Sequence, residues 1–246
     1  TSELGDYAFP CFTLAAKLKR NPAEIAIELR GDIKGNSEED FEDIQTQGAY
    51  INFFLNKQSL AKKVIKEILS KKENFGKSEI GKGKKTMVEF LSPNTNKPLH
   101  LGHLRNMAIG ESISRISEFN GEKVIRTNLN NDRGIHICKS MAAYELYGKN
   151  KQPGKQKTDH FVGDFYVMFN EKSKKSEKLE IESHRILQKW EQGDKETIAL
   201  WAKMNKWALD GHKKTIETFG IHFDKEYYES KIYTKGKEII LEGVEK

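Results

Sequence analysis

The sequence predicts an α/β protein in two parts, and three observations support this prediction. Residues 86–146 alternate in the order strand, loop, helix, strand and helix, which is the order of a parallel βαβ unit with a right-handed crossover. A β-branched and aromatic segment near the N-terminus lies between segments of helical periodicity, which indicates a small α+β domain. Residues 159–219 have helical periodicity throughout, so we expect a helical region after the βαβ unit.

The composition excludes several classes of protein. The 246 residues include 42 Lys and Arg against 36 Asp and Glu, a net charge of +6, and 10% are aromatic. This aromatic content argues against a disordered chain, and no apolar run reaches the roughly 18 residues of a membrane-spanning helix. Cys11 and Cys138 have no CxxC partner, so neither a disulfide framework nor a zinc ribbon is supported. We therefore expect a cytoplasmic protein that does not bind membranes.

The N-terminal part predicts helices around one strand. Residues 5–29 place apolar side chains at roughly helical spacing, with a break at Asn21-Pro22. The segment GAYINFFLN, residues 48–56, predicts a strand because it is rich in β-branched and aromatic residues. Residues 59–69 predict an amphipathic helix with Ser59 as its N-cap.

A Gly- and Lys-rich segment, residues 74–85, separates the two parts. We place the domain boundary here, with an N-terminal domain at residues 1–83 and a second domain at residues 84–246. The segment contains GKSEIGKG, which comes close to the phosphate-binding P-loop pattern. Gly83 stands where that pattern requires Ser or Thr, and the segment precedes a strand instead of following one. We therefore do not expect a P-loop.

The second part predicts an ordered series of strands and helices. The strands are residues 86–91, 122–129 and 220–224, and the two helices of the βαβ unit are residues 100–119, ended by Asn120-Gly121, and 133–146. The core candidates of the helical region are Trp190, Leu200, Trp201, Trp207 and Phe219.

Lysine is concentrated in two stretches of the sequence. Residues 62–85 contain nine lysines and residues 149–178 contain eight. Such stretches suit a polyanionic partner, because each neutralised phosphate releases counterions. Solvated helix faces would give the same pattern, so both interpretations stay open.

The strongest chemical signal is PLHLGHLR at residues 98–105, where a loop meets a predicted helix. His100 and His103 are three residues apart and share one face of the first helical turn. A helix N-terminus offers free N–H groups and a positive dipole end, which together bind anions. Gly102 leaves room for a base or ribose beside the backbone. A zinc pair is an alternative, but no Cys or acidic cluster lies nearby in sequence; a simple helix start is another.

The motif resembles the His-x-Gly-His signature of the class I aminoacyl-tRNA synthetases, with Leu101 at the variable position. The longer stretch VEFLSPNTNKPLHLGH, residues 88–103, resembles the arginyl-tRNA synthetase family in particular. Shorter segments elsewhere are similar to the same family. Three resemble its appended N-terminal domain: DYA at residues 6–8, NP at 21–22 and YINF at 50–53. Three others resemble the region after its first βαβ unit: WEQGD at residues 190–194, LW at 200–201 and IHFD at 221–224. The resemblance implies a small α+β appended domain that contacts tRNA. It also implies the first half of a class I Rossmann-type catalytic domain with a helical insertion.

The resemblance also implies a reaction, in which ATP and arginine form arginyl-adenylate and the arginyl group passes to tRNA(Arg). His100 and His103 would stabilise the α-phosphate transition state, and together with Gly102 they would bind ATP with its associated Mg²⁺. Lys97 would be a further catalytic residue, although a surface lysine of a loop is an equal alternative. We expect no metal site formed by the protein itself.

Arginine would be bound by Ser92, Pro93 and Asn94 together with His103, through its amino and carboxylate groups. Glu89 lies at the end of a predicted strand, where the family places an acid near the guanidinium. A carboxylate pairs with a guanidinium through two hydrogen bonds, a geometry that lysine does not offer. In the appended domain, the residues implied to bind tRNA are Tyr50, Asn52 and Phe53.

The sequence departs from the family at NLNNDRG, residues 128–134, where His-x-Gly-Asp-x-Gly is commoner. Asp132 and Gly134 can still occupy the equivalent positions, and we expect no catalytic role for Arg133. No role is assigned to the remaining histidines, which are His136, His160, His184, His212 and His222.

We expect a monomeric N-terminal fragment of a ligase with weak or no activity of its own. Two alternatives remain: a tRNA-binding module without catalysis, and another class I nucleotidyl-transferring ligase.

Overall fold

A computed structural model describes residues 4–34, 39–148, 150–174 and 177–245. The chain divides into two compact units, Thr1–Gly76 and Lys77–Lys246. Within the described ranges, no helix is both long enough and apolar enough to cross a membrane.

The first unit combines a three-stranded antiparallel sheet with helices. Strand β3 lies between β1 and β2 and pairs with both. The buried core of the unit contains Cys11, Ile25, Ala26, Ile44 and Ile51. The elements are β1 (Tyr7–Pro10), α1 (Phe12–Leu18), α2 (Pro22–Lys34), β2 (Phe41–Gln47), β3 (Tyr50–Leu55) and α3 (Lys57–Lys71), followed by a short 3-10 turn.

The structure corrects three predictions in this unit. The prediction of helix over residues 5–29 is wrong at its start, where Tyr7 lies in strand β1 and pairs with Phe53 of the antiparallel strand β3. Strand β2 was not predicted at all. The N-cap of α3 is Asn56 and not Ser59: Asn56 Oδ1 accepts a hydrogen bond from the Ser59 N–H at 3.1 Å. The two strand errors share one cause, since pairing between distant residues decides strand formation and local periodicity does not record it.

The second unit contains a three-stranded parallel sheet and confirms the predicted α/β class. Strand β5 is central and runs parallel to both β4 and β6. The elements are β4 (Lys85–Glu89), α4 (Leu101–Phe119), β5 (Lys123–Asn130), α5 (Ile135–Ala143), α6 (Thr158–Ser173), α7 (Lys178–Glu191), α8 (Lys195–Thr218), β6 (Lys225–Tyr228) and α9 (Glu229–Glu245); a π-helical turn, Tyr144–Gly148, follows α5.

Helix α4 packs closely against the sheet segment that precedes it. Gly110 makes this possible, because a Cβ atom there would lie 2.2 Å from Cγ of Phe90. Phe90 in turn contacts Phe223, with 4.8 Å between ring centroids. Phe223 belongs to residues 220–224, which the sequence predicted as a strand; the strand instead begins at Lys225. Apolar residues before β6 therefore fill the core without joining the sheet.

Helices α5–α8 surround a separate core, as expected for a helical insertion. Met141, Phe169 and Met204 are among its buried residues. The predicted core residues Leu200, Trp201 and Trp207 pack against it, and Trp190 contacts Trp201 with 5.5 Å between ring centroids. The prediction for Phe219 is wrong, since 48% of this residue is exposed.

Candidate active site

The two signature histidines form a reciprocal cap at the start of α4. His100 is the N-cap residue, and its Nδ1 accepts a hydrogen bond from the Gly102 N–H at 3.1 Å. His103 Nδ1 accepts one from the His100 N–H at 3.1 Å. The ring centroids are 4.0 Å apart. Two backbone groups at the helix start are thus satisfied by imidazoles, in the arrangement of a capping box.

This cap fixes the proton positions on both rings. Because each Nδ1 accepts a backbone N–H, the neutral form of each imidazole carries its hydrogen on Nε2. Burial, together with the smaller effect of the nearby positive charges of His100 and Lys97, lowers the pKa of His103 to about 4. His103 is therefore neutral at pH 7 and offers an Nε2–H donor without first binding a proton.

Gly102 has a structural role that the sequence did not reveal. A Cβ atom at Gly102 would lie 2.9 Å from Cε1 of His100. The absent side chain therefore lets the His100 ring fold over the helix start. That a flat base or ribose lies against the backbone at Gly102 stays a prediction.

The loop after β4 brings predicted arginine-binding residues to the carboxyl edge of the sheet. Ser92 has a left-handed backbone, with φ of 44°. Its Oγ donates a hydrogen bond to Glu89 Oε1 at 2.8 Å, and its N–H donates one to Asn128 Oδ1 at 3.0 Å. The Pro93 carbonyl accepts a hydrogen bond from the Asn131 N–H at 3.0 Å. The loop is therefore fastened to the end of β5, with Glu89 exposed beside it.

Asn94 continues the pairing between the two strands beyond their ends. It forms an isolated parallel bridge with Asn131, whose carbonyl accepts a hydrogen bond from the Thr95 N–H at 3.2 Å. Asn94 is half-buried and follows Glu89 and Ser92 along the same edge. Ligands of parallel α/β sheets bind at this edge, beyond the carboxyl ends of the strands.

Sequence reasoning missed a group of buried amides at the end of β5. Asn128 and Asn130 are each no more than 2% exposed. Asn128 Nδ2 donates to Asn130 Oδ1 at 3.3 Å and to Glu226 Oε1 at 3.4 Å. Three asparagines within four residues at the end of a buried strand, Asn131 included, were the available signal.

The atypical segment after β5 has structural contacts. Asp132 accepts hydrogen bonds from the Ser230 N–H at 2.8 Å and the Ser230 hydroxyl at 2.7 Å, and so fixes the start of α9. Arg133 pairs with Glu191 at 2.6 Å and lies 3.8 Å from the centre of the Tyr233 ring. Gly134 has φ of 102°, a conformation that favours glycine. These contacts tie the segment to α7 and α9.

The predicted tRNA-binding residues divide between the two faces of the first unit's sheet. Tyr50 and Asn52 alternate along β3 and therefore share one face. Tyr50 is 43% exposed and Asn52 is 5% exposed. Phe53 lies on the other face and packs against the core. Phe54, which the sequence did not single out, shares the face of Tyr50 and Asn52.

The sheet and its capped helix define a catalytic domain of the class I aminoacyl-tRNA synthetases, and the comparisons agree. The family model described as tRNA synthetases class I (R), catalytic domain, matches residues 64–246. The model of the arginyl tRNA synthetase N-terminal domain matches residues 1–55. The chain belongs to the arginyl-tRNA synthetase family.

Individual relatives support the same assignment. The chain is 50% identical to an arginine–tRNA ligase of Treponema denticola, over 99% of this chain and 42% of the relative. It is 45% identical to that of Borreliella burgdorferi, over 100% of this chain and 41% of the relative. It thus spans about two fifths of the length of these relatives.

Solved structures are similar over most of this chain. The arginyl-tRNA synthetase of Thermus thermophilus aligns with a TM-score of 0.63 at 28% identity, covering 94% of this chain and 36% of that one. The enzyme of Plasmodium falciparum aligns with a TM-score of 0.59 at 20% identity, over 98% of this chain and 44% of that one, and supports the fold alone.

Proposed function

We propose that this chain supplies the adenylate-forming signature and the arginine-binding loop of an arginine–tRNA ligase. The reaction joins arginine to ATP, releases pyrophosphate, and transfers the arginyl group from the adenylate to tRNA(Arg). The observation that carries the proposal is the reciprocal His100–His103 cap at the carboxyl edge of a parallel sheet.

The histidines act on the α-phosphate. When the arginine carboxylate attacks the α-phosphorus, negative charge builds on the phosphate oxygens. The Nε2–H groups of His100 and His103 donate to these oxygens, and the N-terminal dipole of α4 adds to the stabilisation. Because the cap orients both rings before substrate binds, little reorganisation accompanies the reaction. Gly102 lets the nucleoside approach the first helical turn.

Glu89 is the proposed partner of the arginine guanidinium. Its carboxylate accepts a hydrogen bond from Ser92, which holds one oxygen in place. A guanidinium can bind a carboxylate with two parallel N–H donors, whereas the ammonium of lysine is a point charge. Asn94, Pro93 and Ser92 would hold the amino and carboxylate groups of arginine together with His103.

ATP would bring Mg²⁺ to the site on its phosphates. Among the residues that the structure describes, no group of three His, Cys, Asp or Glu side chains can hold a metal ion. Lys97 is half-buried in the loop before α4, and its ammonium would neutralise a phosphate charge.

The exposed face of the first unit's sheet would contact tRNA(Arg). Tyr50 offers a ring on which a base can stack. Asn52 is only 5% exposed, so it would support this face from within. Phe53 would support them from the core side. We further propose that the ligase works as a monomer in the cytoplasm.

The test is amino-acid-dependent exchange of pyrophosphate into ATP by the full-length ligase that carries this sequence. Arginine is expected to support exchange, and lysine and glutamine are not. His103→Ala should lower the rate about a hundredfold, which is typical for loss of one transition-state donor. Exchange with a different amino acid would contradict the arginine assignment.

A tRNA-binding module without catalysis is the competing function, and the lysine-rich stretches favour it. Such a module would bind tRNA with an affinity that falls steeply with salt and would show no exchange with any amino acid. Measuring both properties on the same preparation separates the two functions.

A further inference from the structure

Four consecutive residues of the loop before α4 each contact the helical insertion. This loop leads into the signature, and these four contacts are made in addition to the backbone hydrogen bond between Thr95 and Asn131 at the end of β5. Thr95 Oγ1 donates a hydrogen bond to Asn205 Oδ1, and Asn96 Nδ2 donates one to the His136 carbonyl at 3.2 Å. The Lys97 carbonyl accepts a hydrogen bond from His212 Nε2 at 2.8 Å. Pro98 packs against Gly163 so closely that a Cβ atom on Gly163 would lie 2.6 Å from Cδ of Pro98.

His212 stands out among these contacts because it is a buried imidazole with one partner. It is 1% exposed on α8, and its Nδ1 has no hydrogen-bond partner in the part of the chain that the structure describes. Burial lowers its pKa, so the ring is neutral and its Nε2–H is the donor to Lys97. An unpaired buried polar atom costs free energy, which a phenyl ring at this position would avoid.

The charges near His212 are already paired elsewhere. Asp159 is fully buried and is bound by Lys157 Nζ at 2.5 Å and by the His160 N–H at 3.0 Å. The contact that distinguishes His212 from an apolar residue is therefore its hydrogen bond to the Lys97 carbonyl.

That carbonyl lies where it can set the position of the signature. The Lys97–Pro98 peptide lies three residues before His100, and the proline fixes its own φ. Leu99, which follows, packs against the core beneath α4. A shift of the Lys97 carbonyl would therefore be passed to His100 and, through the reciprocal cap, to His103.

We propose that His212 is a positioning residue for adenylate formation, which holds the Lys97 carbonyl so that His100 and His103 meet the α-phosphate in a fixed geometry. The proposal rests on the proposed function for its kinetic consequence. It assigns to the helical insertion a direct part in the chemistry of the sheet edge, although His212 itself touches no reacting atom.

The kinetic test uses two substitutions in the full-length ligase. His212→Phe keeps a ring of similar size and removes the donor, so kcat for arginine-dependent exchange should fall about tenfold to a hundredfold, while KM for arginine changes little. His212→Gln keeps an N–H donor and should restore most of kcat. His184→Phe, on the exposed face of α7, is the matched control and should leave kcat unchanged.

A second readout does not depend on activity. In spectra of histidine-labelled ligase, His103 should titrate at about pH 4 in the wild type. His212→Phe should move this midpoint toward the ordinary value, because a released loop admits water to the ring. His212→Gln should leave the midpoint of His103 unchanged. Because both variants lack the imidazole of His212, the comparison isolates the effect of the hydrogen bond to the Lys97 carbonyl.

The outcomes separate the two proposals. If the wild type shows no arginine-dependent exchange, the proposed function fails, and the titration still tests the loop contact. If the exchange is normal in His212→Phe and the His103 midpoint does not move, the positioning role is wrong. Equal losses of kcat and melting temperature in the Phe and Gln variants would also contradict it, because they would indicate a purely structural residue.

Discussion

Arg126 and Glu118 form a bidentate ion pair, with Nη1 to Oε1 at 2.6 Å and Nη2 to Oε2 at 2.9 Å. Arg126 also donates through Nε to Glu111 at 2.8 Å, and only 4% of the residue is exposed. Since Arg126 lies on β5 and both glutamates lie on α4, the network joins the central strand to the helix that begins with the signature histidines.

Removing this arginine should destabilise the second unit. Arg126→Met leaves Glu118 without its arginine partner and Glu111 with Arg115 alone, and a loss of about 3 kcal/mol in the free energy of unfolding is expected. Urea denaturation measures it. Arg115→Met is the control, because Arg115 is exposed and also binds Glu111; it should cost less than about 1 kcal/mol. Equal losses in the two variants would show that burial of the network adds nothing.

The same network predicts an acid-sensitive part of the stability. Hydrogen bonds from Arg126 lower the pKa of Glu118. Burial alone would raise the pKa of Glu111, but the hydrogen bonds from Arg126 and Arg115 outweigh burial, so the pKa of Glu111 is lowered as well. A carboxyl group with a lowered folded-state pKa contributes stability above its ordinary pKa, and this stability is lost as the pH falls. The stability difference between wild type and Arg126→Met should therefore shrink below about pH 4.5. A constant difference from pH 7 to pH 3 would contradict the assignment.

His103 should make its own contribution to the pH dependence. Its folded-state pKa is about 4, below the ordinary value of 6.5. Between these values the unfolded chain binds a proton that the folded chain does not, so stability should fall as the pH drops from 6.5 toward 4. His103→Asn keeps an acceptor for the His100 N–H and has no group that titrates in this range. This loss of stability between pH 6.5 and pH 4 should therefore be absent in the variant. Chemical denaturation of both proteins at pH 7 and pH 5 measures the difference.

The close approach of α4 to Phe90 should tolerate no added side chain. In Gly110→Ala the new Cβ would lie 2.2 Å from Cγ of Phe90, so helix or ring must shift, and a loss of about 1–3 kcal/mol is expected. Gly31→Ala is the matched control on α2, where no atom lies within 4 Å of the added carbon. This variant should gain about 0.5–1 kcal/mol, because alanine favours helix. Thermal melting of both variants checks the opposite signs.

An element of the fold could be predicted from the sequence where the interactions that determine it join residues that are close together in the chain. The start of α4 was predicted at His100, one residue before the observed start at Leu101, because a cap and a helical pattern are both local. Strand β1 was mistaken for helix because its partner, Phe53, lies 46 positions beyond Tyr7. Sequence periodicity contains no record of such a pairing.

The same limit applies to the site. His100 and His103 were recognisable because they are three positions apart and a helix brings them together. The contact of Ser92 with Asn128 spans 36 positions, and that of His212 with Lys97 spans 115. His212 looked like an ordinary isolated histidine, since its importance depends on which carbonyl the fold places beside it.

Ser92 provides a test of how the arginine pocket is ordered. Its hydroxyl holds Glu89 Oε1 at 2.8 Å, so Ser92→Ala frees the carboxylate to leave the orientation that a guanidinium requires. KM for arginine in pyrophosphate exchange should rise severalfold while KM for ATP stays constant, because the loss of one hydrogen bond of about 1 kcal/mol affects the amino-acid side alone. Ser112→Ala is the control, since that hydroxyl binds the Ala108 carbonyl within α4 at 2.7 Å. If KM for ATP rose as well, Ser92 would order the whole loop and not the carboxylate of Glu89 in particular.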